Sequence, residues 1–355
     1  MNIRILAWLV CGALTVGVLS AQAWQDLRAV GGNTTSGSTA VGGTAAGTTV
    51  SAGQTADHSA TSPVMTPPAS EPVPAANPPS TMSQNDDGAY KPDPAKWQLV
   101  WSDEFDKDGP PDSSKWTIEQ NNKGGGNREL QAYTDSPNNI RVENGNLVIE
   151  ARKEKSGGMQ YTSGRMNSRG KAEFTYGRIE ARIKLPHGRG IWPAFWMLGT
   201  GGGGWPRCGE IDIMEYVGYQ PGEVHGTVHT GAFNHMKGTQ QGNHTTIGDC
   251  EDQYHVYAVE WYSKGMRFFV DGQHYFTFAR QGDDNDKWPF DKPAFIIFNF
   301  AVGGDWGGIK GVDASVYPQK MLVDYVRAYK QISGDPTGAG GGGDATKSDV
   351  HQFGK

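Results

Sequence analysis

Apolar and polar positions alternate along the middle of the chain, and this alternation predicts β-strands. In residues 178–185 every second residue is apolar and the others are charged, which is typical of a strand with one buried face. Residues 268–275 form two such runs joined by Asp271-Gly272, a strong signal for a two-residue hairpin turn. Similar runs predict further strands at residues 99–105, 146–153, 255–262, 294–301 and 321–330. No segment has a convincing helical period, so the pattern predicts an all-β sandwich of two antiparallel sheets.

Composition divides the 355 residues into one candidate domain and flanking segments. Residues 1–23 combine Arg4, an apolar run and Ala21-Gln22-Ala23, the features of a signal peptide cleaved near Ala23. Residues 24–95 are rich in Gly, Ser, Thr, Ala and Pro and are expected to form a flexible linker, and residues 333–355 a Gly-rich tail. Residues 96–332 remain as a single folded domain, large enough for an enzyme, in a protein that we expect to be secreted or periplasmic.

Charge and hydropathy exclude two classes of partner. The net charge is −6, the isoelectric point is about 5.9 and no stripe of Lys and Arg is present, so nucleic acid is a poor candidate. After the signal peptide no segment approaches about 18 consecutive apolar residues, so we expect no membrane insertion of the mature protein. We expect a monomer.

The most informative motif is GEIDIMEYVG at residues 209–218. It places Glu210, Asp212 and Glu215 in an apolar run, where an unpaired ionised carboxylate is costly. In a regular strand Glu215 would face away from the other two acids. A β-bulge that absorbs Ile213 or Met214 restores the phase and returns all three acids to one face.

Two facing carboxyl groups suit the hydrolysis of a glycosidic bond. One ionised carboxylate attacks the anomeric carbon, while a protonated carboxyl group donates to the leaving oxygen. Mutual repulsion and partial burial separate the two pKa values, and Asp212 can then hydrogen-bond Glu210 and tune its charge. The competing interpretation is a solvated strand face that carries three acids by chance.

These residues resemble glycoside hydrolase family 16, and the bulged motif is similar to that of its laminarinase-like endo-β-1,3-glucanase branch. The resemblance implies a jelly roll with a concave substrate cleft, with Glu210 as nucleophile, Asp212 as its assistant and Glu215 as general acid/base. It implies a retaining enzyme that acts on β-1,3-glucan, with mixed-linkage β-1,3-1,4-glucan as a further substrate, and no cofactor for catalysis. Two alternatives stay open: an agarase or carrageenase of the same family, and a non-catalytic glucan-binding module.

The same resemblance implies a set of substrate-binding residues. Trp192 and Trp196 lie four positions apart on one strand face and match cleft tryptophans, although an arbitrary pair of this kind more often fills a core. By the resemblance His229 lies near the acid/base. The remaining matches are Arg165, Asn127 and Trp306, of which Arg165 and Asn127 could equally brace loops.

His225 and His229 also raise the question of a metal site. A spacing of four could mark a metal pair on a helix, but the β-branched surroundings and Gly226 favour a strand. A zinc hydrolase would need a third ligand and a helical His-Glu-x-x-His, and neither is found. We therefore interpret His225 as an ordinary sheet residue.

Two structural features complete the expectations. By the resemblance Glu104, Gly145 and Asp324 match a structural calcium site far from catalysis, although Asp324 could instead cap a sheet edge. Cys208 and Cys250 remain after signal cleavage and could form a disulfide in an oxidising compartment, with two buried free thiols as the alternative.

Overall fold

The computed structural model describes residues 83–84 and 90–333. The predicted signal peptide, most of the predicted linker and the tail beyond Ser333 lie outside these residues. Two eight-stranded antiparallel sheets make up most of the described chain, which confirms the predicted all-β sandwich.

The described strands, in chain order, are β1 Ser83–Gln84, β2 Tyr90–Lys91, β3 Trp97–Asp103, β4 Thr117–Ile118, β5 Gln131–Tyr133, β6 Ile140–Glu143, β7 Asn146–Ala151, β8 Tyr161–Ser163, β9 Arg165–Asn167, β10 Glu173–Phe174, β11 Gly177–Lys184, β12 Ile191–Gly199, β13 Glu210–Tyr216, β14 Glu223–His229, β15 Gln241–Thr246, β16 His255–Tyr262, β17 Gly265–Val270, β18 Gln273–Ala279, β19 Ala294–Val302 and β20 Gln319–Gln331. Short 3-10 turns occur at Gly124–Gly126 and His235–Lys237.

The sheet that carries the three acids is called the front sheet here. Its order is β15-β14-β13-β12-β19-β9-β4, with β10 paired to β19. The back sheet has the order β18-β17-β16-β11-β20-β7-β6, with β3 paired to β20. A single apolar cluster contains side chains of both sheets, including Phe298 on β19 of the front sheet and Ile179 on β11 of the back sheet. Both sheets therefore bury one face in a common core.

The predicted strands agree with the observed ones to within a few residues. The strand predicted at residues 255–262 is β16, and the hairpin predicted at Asp271-Gly272 joins β17 to β18. Both turn residues have positive φ, 47° at Asp271 and 72° at Gly272, as a type I′ turn requires. Register in this hairpin is therefore set by turn chemistry that the sequence carries.

The outer face of β11 differs from the expectation that its charged residues are solvated. Arg178 and Glu180 are both fully buried, and their side chains form an ion pair of 2.8 Å. The guanidinium also lies 3.3 Å from Glu260 on β16 and 5.0 Å from the ring centre of Tyr90. Alternation identified the strand correctly but could not show that a second layer covers its polar side.

Part of that cover comes from the segment predicted as a linker. The predicted linker ends at residue 95, yet Tyr90–Lys91 pairs with Ser83–Gln84 as a two-stranded sheet. The Tyr90 ring then packs on Arg178 of the back sheet. Ordered structure thus begins before the predicted boundary. Among the described residues no helix has the length and apolar character needed to cross a bilayer.

Candidate active site

Strand β13 presents the three acids on one face because it contains a β-bulge. Glu210 pairs with His229 on β14, Asp212 pairs with Thr227, and Glu215 pairs with His225. Between the last two pairs Ile213 and Met214 therefore oppose the single residue Gly226. The neighbouring strand β12 shows the same irregularity between Phe195 and Trp196. The predicted bulge is confirmed.

The bulge also sends two apolar side chains into the core. Ile213 is 1% exposed and Met214 is fully buried. On the opposing strand Gly226 leaves room for the back sheet, because a Cβ at this position would lie 2.4 Å from the Tyr275 hydroxyl oxygen. Packing of β13 and β14 against the core thus stabilises the local irregularity that brings the acids together.

All three carboxyl groups are held in a poorly solvated, mutually repelling cluster. Burial raises the pKa of Glu210, Asp212 and Glu215, and it is the largest cause at each. The charge of Glu215 raises the pKa of Glu210 further, and both glutamates raise the pKa of Asp212. Because the pKa of each acid is raised, the cluster does not carry three full charges at neutral pH.

Two neighbours of Glu210 favour its anionic form, although burial and Glu215 raise its pKa overall. A side-chain hydrogen bond from Trp205 and the positive charge of Arg165 both lower the pKa of Glu210 against the effect of burial. The Nε2 atom of His229 lies 3.8 Å from Glu210 Oε1 and 3.4 Å from Asp212 Oδ2. Burial, followed by the neighbouring His235, lowers the pKa of His229 to about 4, so this imidazole is neutral at neutral pH. It lies beside the two acids without neutralising their charge.

Glu215 lies in a different environment formed by two tryptophans. The Trp192 indole N–H donates a 3.0 Å hydrogen bond to Glu215 Oε1. The Trp192 ring meets that of Trp306 edge to face at 5.5 Å, and Trp306 meets the His225 ring at 4.9 Å. The negative charge of Glu129 raises the pKa of Glu215, whereas the hydrogen bond from Trp192 lowers it. Aromatic rings thus adjoin a carboxyl group whose pKa is raised.

A polar network on β9, β19 and nearby loops forms the other side of the site. Arg165 is paired with Glu119 at 2.9 Å and lies 5.0 Å from the Trp196 ring centre. The Trp196 indole N–H donates to Asn299 Oδ1 at 2.7 Å. Asn127 Nδ2 donates to Glu129 Oε1 at 3.1 Å. The structure therefore brings Arg165 and Trp196 to the face of the acids and links Asn127 to it through Glu129.

The two histidines of β14 are arranged differently from the expectation. His229 was expected near the acid/base, but it pairs with Glu210 at the opposite end of the motif. His225, interpreted as an ordinary sheet residue, is the cross-strand neighbour of Glu215. The reason is strand direction, because β14 runs antiparallel to β13 and the later histidine meets the earlier acid.

The residues expected to bind calcium are engaged by arginine side chains. Arg327 donates two hydrogen bonds, of 3.0 and 2.7 Å, to the carboxylate of Glu104. Arg182 donates one of 2.8 Å to Asp324. Gly145 lies with φ of 72° in the turn between β6 and β7. A guanidinium on each carboxylate opposes a divalent cation, so this donor set does not fit calcium as it stands.

The expected disulfide is not formed. Cys208 and Cys250 are both free and buried, and burial raises the pKa of each thiol to about 11. Cys208 lies two residues before β13, whereas Cys250 interacts with Tyr216 at the far end of that strand. A strand of this length spans about 20 Å, well beyond the reach of about 7 Å between the Cα atoms of a disulfide.

Sequence reasoning missed several residues of the site. Trp205 hydrogen-bonds Glu210, and its ring lies 4.9 Å from that of His235. Glu129 is 6% exposed and accepts hydrogen bonds from Asn127, Gln131 and Tyr133. Trp205 lies in the loop just before the motif, which was the available signal. Nothing in the local pattern around Glu129 indicated that its carboxylate would approach Glu215.

Two sets of side chains among the described residues could hold a metal ion. One is Glu210, Asp212 and His229, and the other is Glu223, His225 and His244. The first set consists of the acids and the imidazole already described. Carboxyl groups of this kind can support proton transfer and nucleophilic attack without a metal.

Comparison with known proteins places this site in a defined group. Residues 127–327 match the family model "Glycosyl hydrolases family 16". A beta-glucanase of Rhodothermus marinus is 49% identical over 246 residues, which cover 66% of this chain and 86% of that protein. The X-ray structure of the laminarinase from Rhodothermus marinus superposes with a TM-score of 0.65 at 49% identity, covering 67% of this chain and 98% of that one. SCLam, a non-specific endo-beta-1,3(4)-glucanase, matches with a TM-score of 0.65 at 47% identity, covering 67% and 93%.

Proposed function

This chain belongs to glycosyl hydrolase family 16, and we propose that it is an endo-acting glucanase that cleaves β-1,3 linkages of laminarin-like glucans with retention of configuration. The observation that carries the proposal is the bulge in β13, which sets Glu210, Asp212 and Glu215 on one face. Two carboxyl groups of different protonation state are what a retaining glycosidase requires. The reaction uses these groups and water, and it needs no cofactor.

Glu210 is assigned as the nucleophile. The Trp205 hydrogen bond and the charge of Arg165 favour its ionised form, and a proton on Glu215 removes the strongest repulsion that it experiences. Asp212, which is 4% exposed, lies against His229 and is the acid most opposed to ionisation by its neighbours. A protonated Asp212 would therefore serve as a hydrogen-bond donor within the cluster.

Glu215 is assigned as the general acid/base. Its burial and the Glu129 charge favour the protonated form that must donate to the leaving glycosidic oxygen. Glu210 then forms a covalent bond to the anomeric carbon as the leaving sugar departs with the proton from Glu215. In the second step ionised Glu215 takes a proton from water, and the water oxygen displaces Glu210 to give the β-anomer.

The binding surface suits a neutral polysaccharide. Trp192, Trp196 and Trp306 offer aromatic faces for the C–H faces of sugar rings, and Arg165 offers a guanidinium group for hydroxyls. The similarity to a laminarinase and to a non-specific endo-beta-1,3(4)-glucanase supports β-1,3-glucan as substrate, with mixed-linkage glucan as a second one. An agarase or carrageenase type of activity is the competing assignment within the family.

The cellular location and oligomeric state are part of the proposal. Residues 1–23 have the composition of a signal peptide, which supports export to the periplasm or medium. Export with cleavage near Ala23 is tested by the mass of the mature protein from fractionated cells. Function as a monomer is tested by light scattering of the purified protein.

The catalytic assignment is tested by two isosteric substitutions and a matched control. Glu210→Gln and Glu215→Gln should each lower kcat on laminarin by on the order of a thousandfold or more while laminarin binding persists. Glu143→Gln, which alters a surface ion pair with Arg141, should retain the parent rate. Near-parent activity in either catalytic variant would refute the assignment.

Azide rescue separates the two roles. With an aryl laminaribioside and azide, Glu210→Ala should yield the α-glycosyl azide, because azide attacks in place of the missing nucleophile. Glu215→Ala should yield the β-glycosyl azide from the covalent intermediate. The reverse outcome would exchange the roles. Parallel assays on laminarin, lichenan, agarose and carrageenan identify the substrate, and turnover of only the last two would replace the glucanase assignment.

A further inference from the structure

A second cluster of metal-ligating side chains lies on the same sheet, outside the catalytic acids. Glu223 and His225 are two residues apart on β14 and so share a face, and His244 on β15 is the cross-strand partner of His225. Each residue offers one ligand atom, and these atoms all lie within 4.8 Å of one another. The sequence alone indicated only two histidines on one strand. Pairing with β15 adds His244, and Glu223 completes the set.

The distances within the cluster suit a small transition-metal ion. His225 Nε2 lies 3.3 Å from Glu223 Oε1. Two ligands of a tetrahedral zinc ion, each about 2.0–2.1 Å from the metal, are separated by roughly 3.3 Å. Two of the three ligand atoms thus already lie at the spacing of a zinc site. The exposed His244 side chain can complete it by a rotamer change, which leaves a fourth position for water.

The chemistry of the donor atoms supports the same conclusion. Within the described residues His225 Nε2 is buried and has no hydrogen-bond partner, which is costly for a polar atom. Glu223 is held by a 2.6 Å hydrogen bond from Gln220 Nε2 to Oε1, the kind of contact that orients a metal-binding carboxylate. Two imidazoles and one carboxylate form a donor set typical of zinc rather than calcium.

The cluster adjoins the proposed acid/base. His225 is the cross-strand neighbour of Glu215, and its ring lies 4.9 Å from that of Trp306. A hydrated cation on His225 would occupy the space beside Trp306 and Trp192, where a sugar ring must stack. Occupancy of the cluster would therefore compete with substrate.

We propose that Glu223, His225 and His244 form a binding site for one zinc ion and that its occupancy inhibits hydrolysis. The binding half of this proposal is independent of the proposed function. The inhibition half rests on that function, because it requires glucan to occupy the neighbouring surface.

Calorimetric titration of the untagged protein with zinc chloride tests the binding half. His244→Ala and Glu223→Gln should each raise the dissociation constant of one zinc equivalent by about tenfold or more. His187→Ala, at an exposed histidine in the loop between β11 and β12 that does not belong to the cluster, should bind zinc as the parent does. Because His244 is exposed, its variant should keep the parent thermal midpoint. Unchanged zinc binding in His244→Ala would overturn the site.

A further variant separates this site from the other candidate ligands. Asp212→Asn alters the set formed by Glu210, Asp212 and His229, and it should leave the zinc equivalent assigned to His244 intact. If Asp212→Asn abolishes all zinc binding while His244→Ala does not, zinc binds at the catalytic acids and the proposal is wrong.

Laminarin hydrolysis with and without zinc tests the inhibition half. The parent enzyme and His187→Ala should be inhibited and should recover on addition of EDTA, whereas His244→Ala should need about tenfold more zinc for the same inhibition. Equal inhibition of His244→Ala and the parent would refute inhibition through this site. Loss of zinc binding without any change in inhibition would leave binding established and inhibition disproved.

Discussion

The indole N–H of Trp192 donates a 3.0 Å hydrogen bond to Oε1 of Glu215, from the strand beside the one that carries the proposed catalytic acids. An N–H donor stabilises the ionised carboxylate, so it opposes the effects of burial and of Glu129 on the pKa of Glu215. The protonation of the proposed acid/base is thus set by a balance between burial and a nearby charge, which raise its pKa, and a hydrogen bond, which lowers it.

Replacing Trp192 by Phe removes the hydrogen bond and keeps an aromatic face. The pKa of Glu215 should rise, so the protonated acid should persist to higher pH and the basic limb of the kcat profile should move upward. Trp196→Phe is the matched control, because that indole N–H donates to Asn299 and not to an acid. A basic limb that is the same in Trp192→Phe and the parent would contradict the balance described above.

Replacing Glu129 by Gln should act in the opposite direction. The substitution removes a negative charge that raises the pKa of Glu215, so the general acid should lose its proton at lower pH. The basic limb of the kcat profile should therefore move downward. Asp135→Asn removes an exposed acid just after β5 and should leave the pH profile unchanged. An unchanged basic limb in Glu129→Gln would show that the Glu129 charge does not reach Glu215.

Gly226 and Tyr275 should be energetically coupled. Gly226→Ala places a Cβ against the Tyr275 hydroxyl and should lower the free energy of unfolding by about 1–3 kcal/mol. Tyr275→Phe removes that hydroxyl oxygen, which is buried without a hydrogen-bond partner among the described residues, and should cost little. Urea unfolding of the double variant should recover part of the loss. Strict additivity of the two changes would argue against direct contact.

His255 should make stability depend on pH. Burial opposes its charge, but hydrogen bonds and charges of Asp271 and Asp249 raise its pKa overall above 6.5. A raised pKa in the folded state means that the protonated imidazole stabilises the fold at low pH. The stability of the parent relative to His255→Gln should thus be greatest below about pH 6.5 and should decline as pH rises through the folded pKa. Urea unfolding at a series of pH values measures this difference, and an increase with pH would refute the linkage.

The fold and the catalytic motif were predictable because they depend on short-range patterns. Alternation identified the strands, Asp271-Gly272 identified a turn, and the spacing of Glu210, Asp212 and Glu215 required a bulge if all three were to share a face. Each of these inferences uses only the geometry of a single strand or hairpin. The structure agrees with them for that reason.

The remaining parts of the site depend on which segments meet in space. Glu129 reaches Glu215 from a loop segment that precedes it by 86 positions, and no periodic pattern connects the two. The order of the β14 histidines against the acids follows from strand pairing rather than from spacing. The two cysteines lie toward opposite ends of β13. Their positions are set by the paths of the loops after β12 and β15. Such relationships require a three-dimensional arrangement.

The aromatic ring of Tyr90 over Arg178 has a practical consequence for trimming the protein. A shortened chain that starts at residue 96 would satisfy the compositional boundary but would uncover the guanidinium and its carboxylate partner. Water would then reach Arg178 and Glu180, which are fully buried in the intact chain. The truncated enzyme should therefore unfold at a lower temperature. A minimal fragment for crystallisation or industrial production should therefore begin upstream of residue 90.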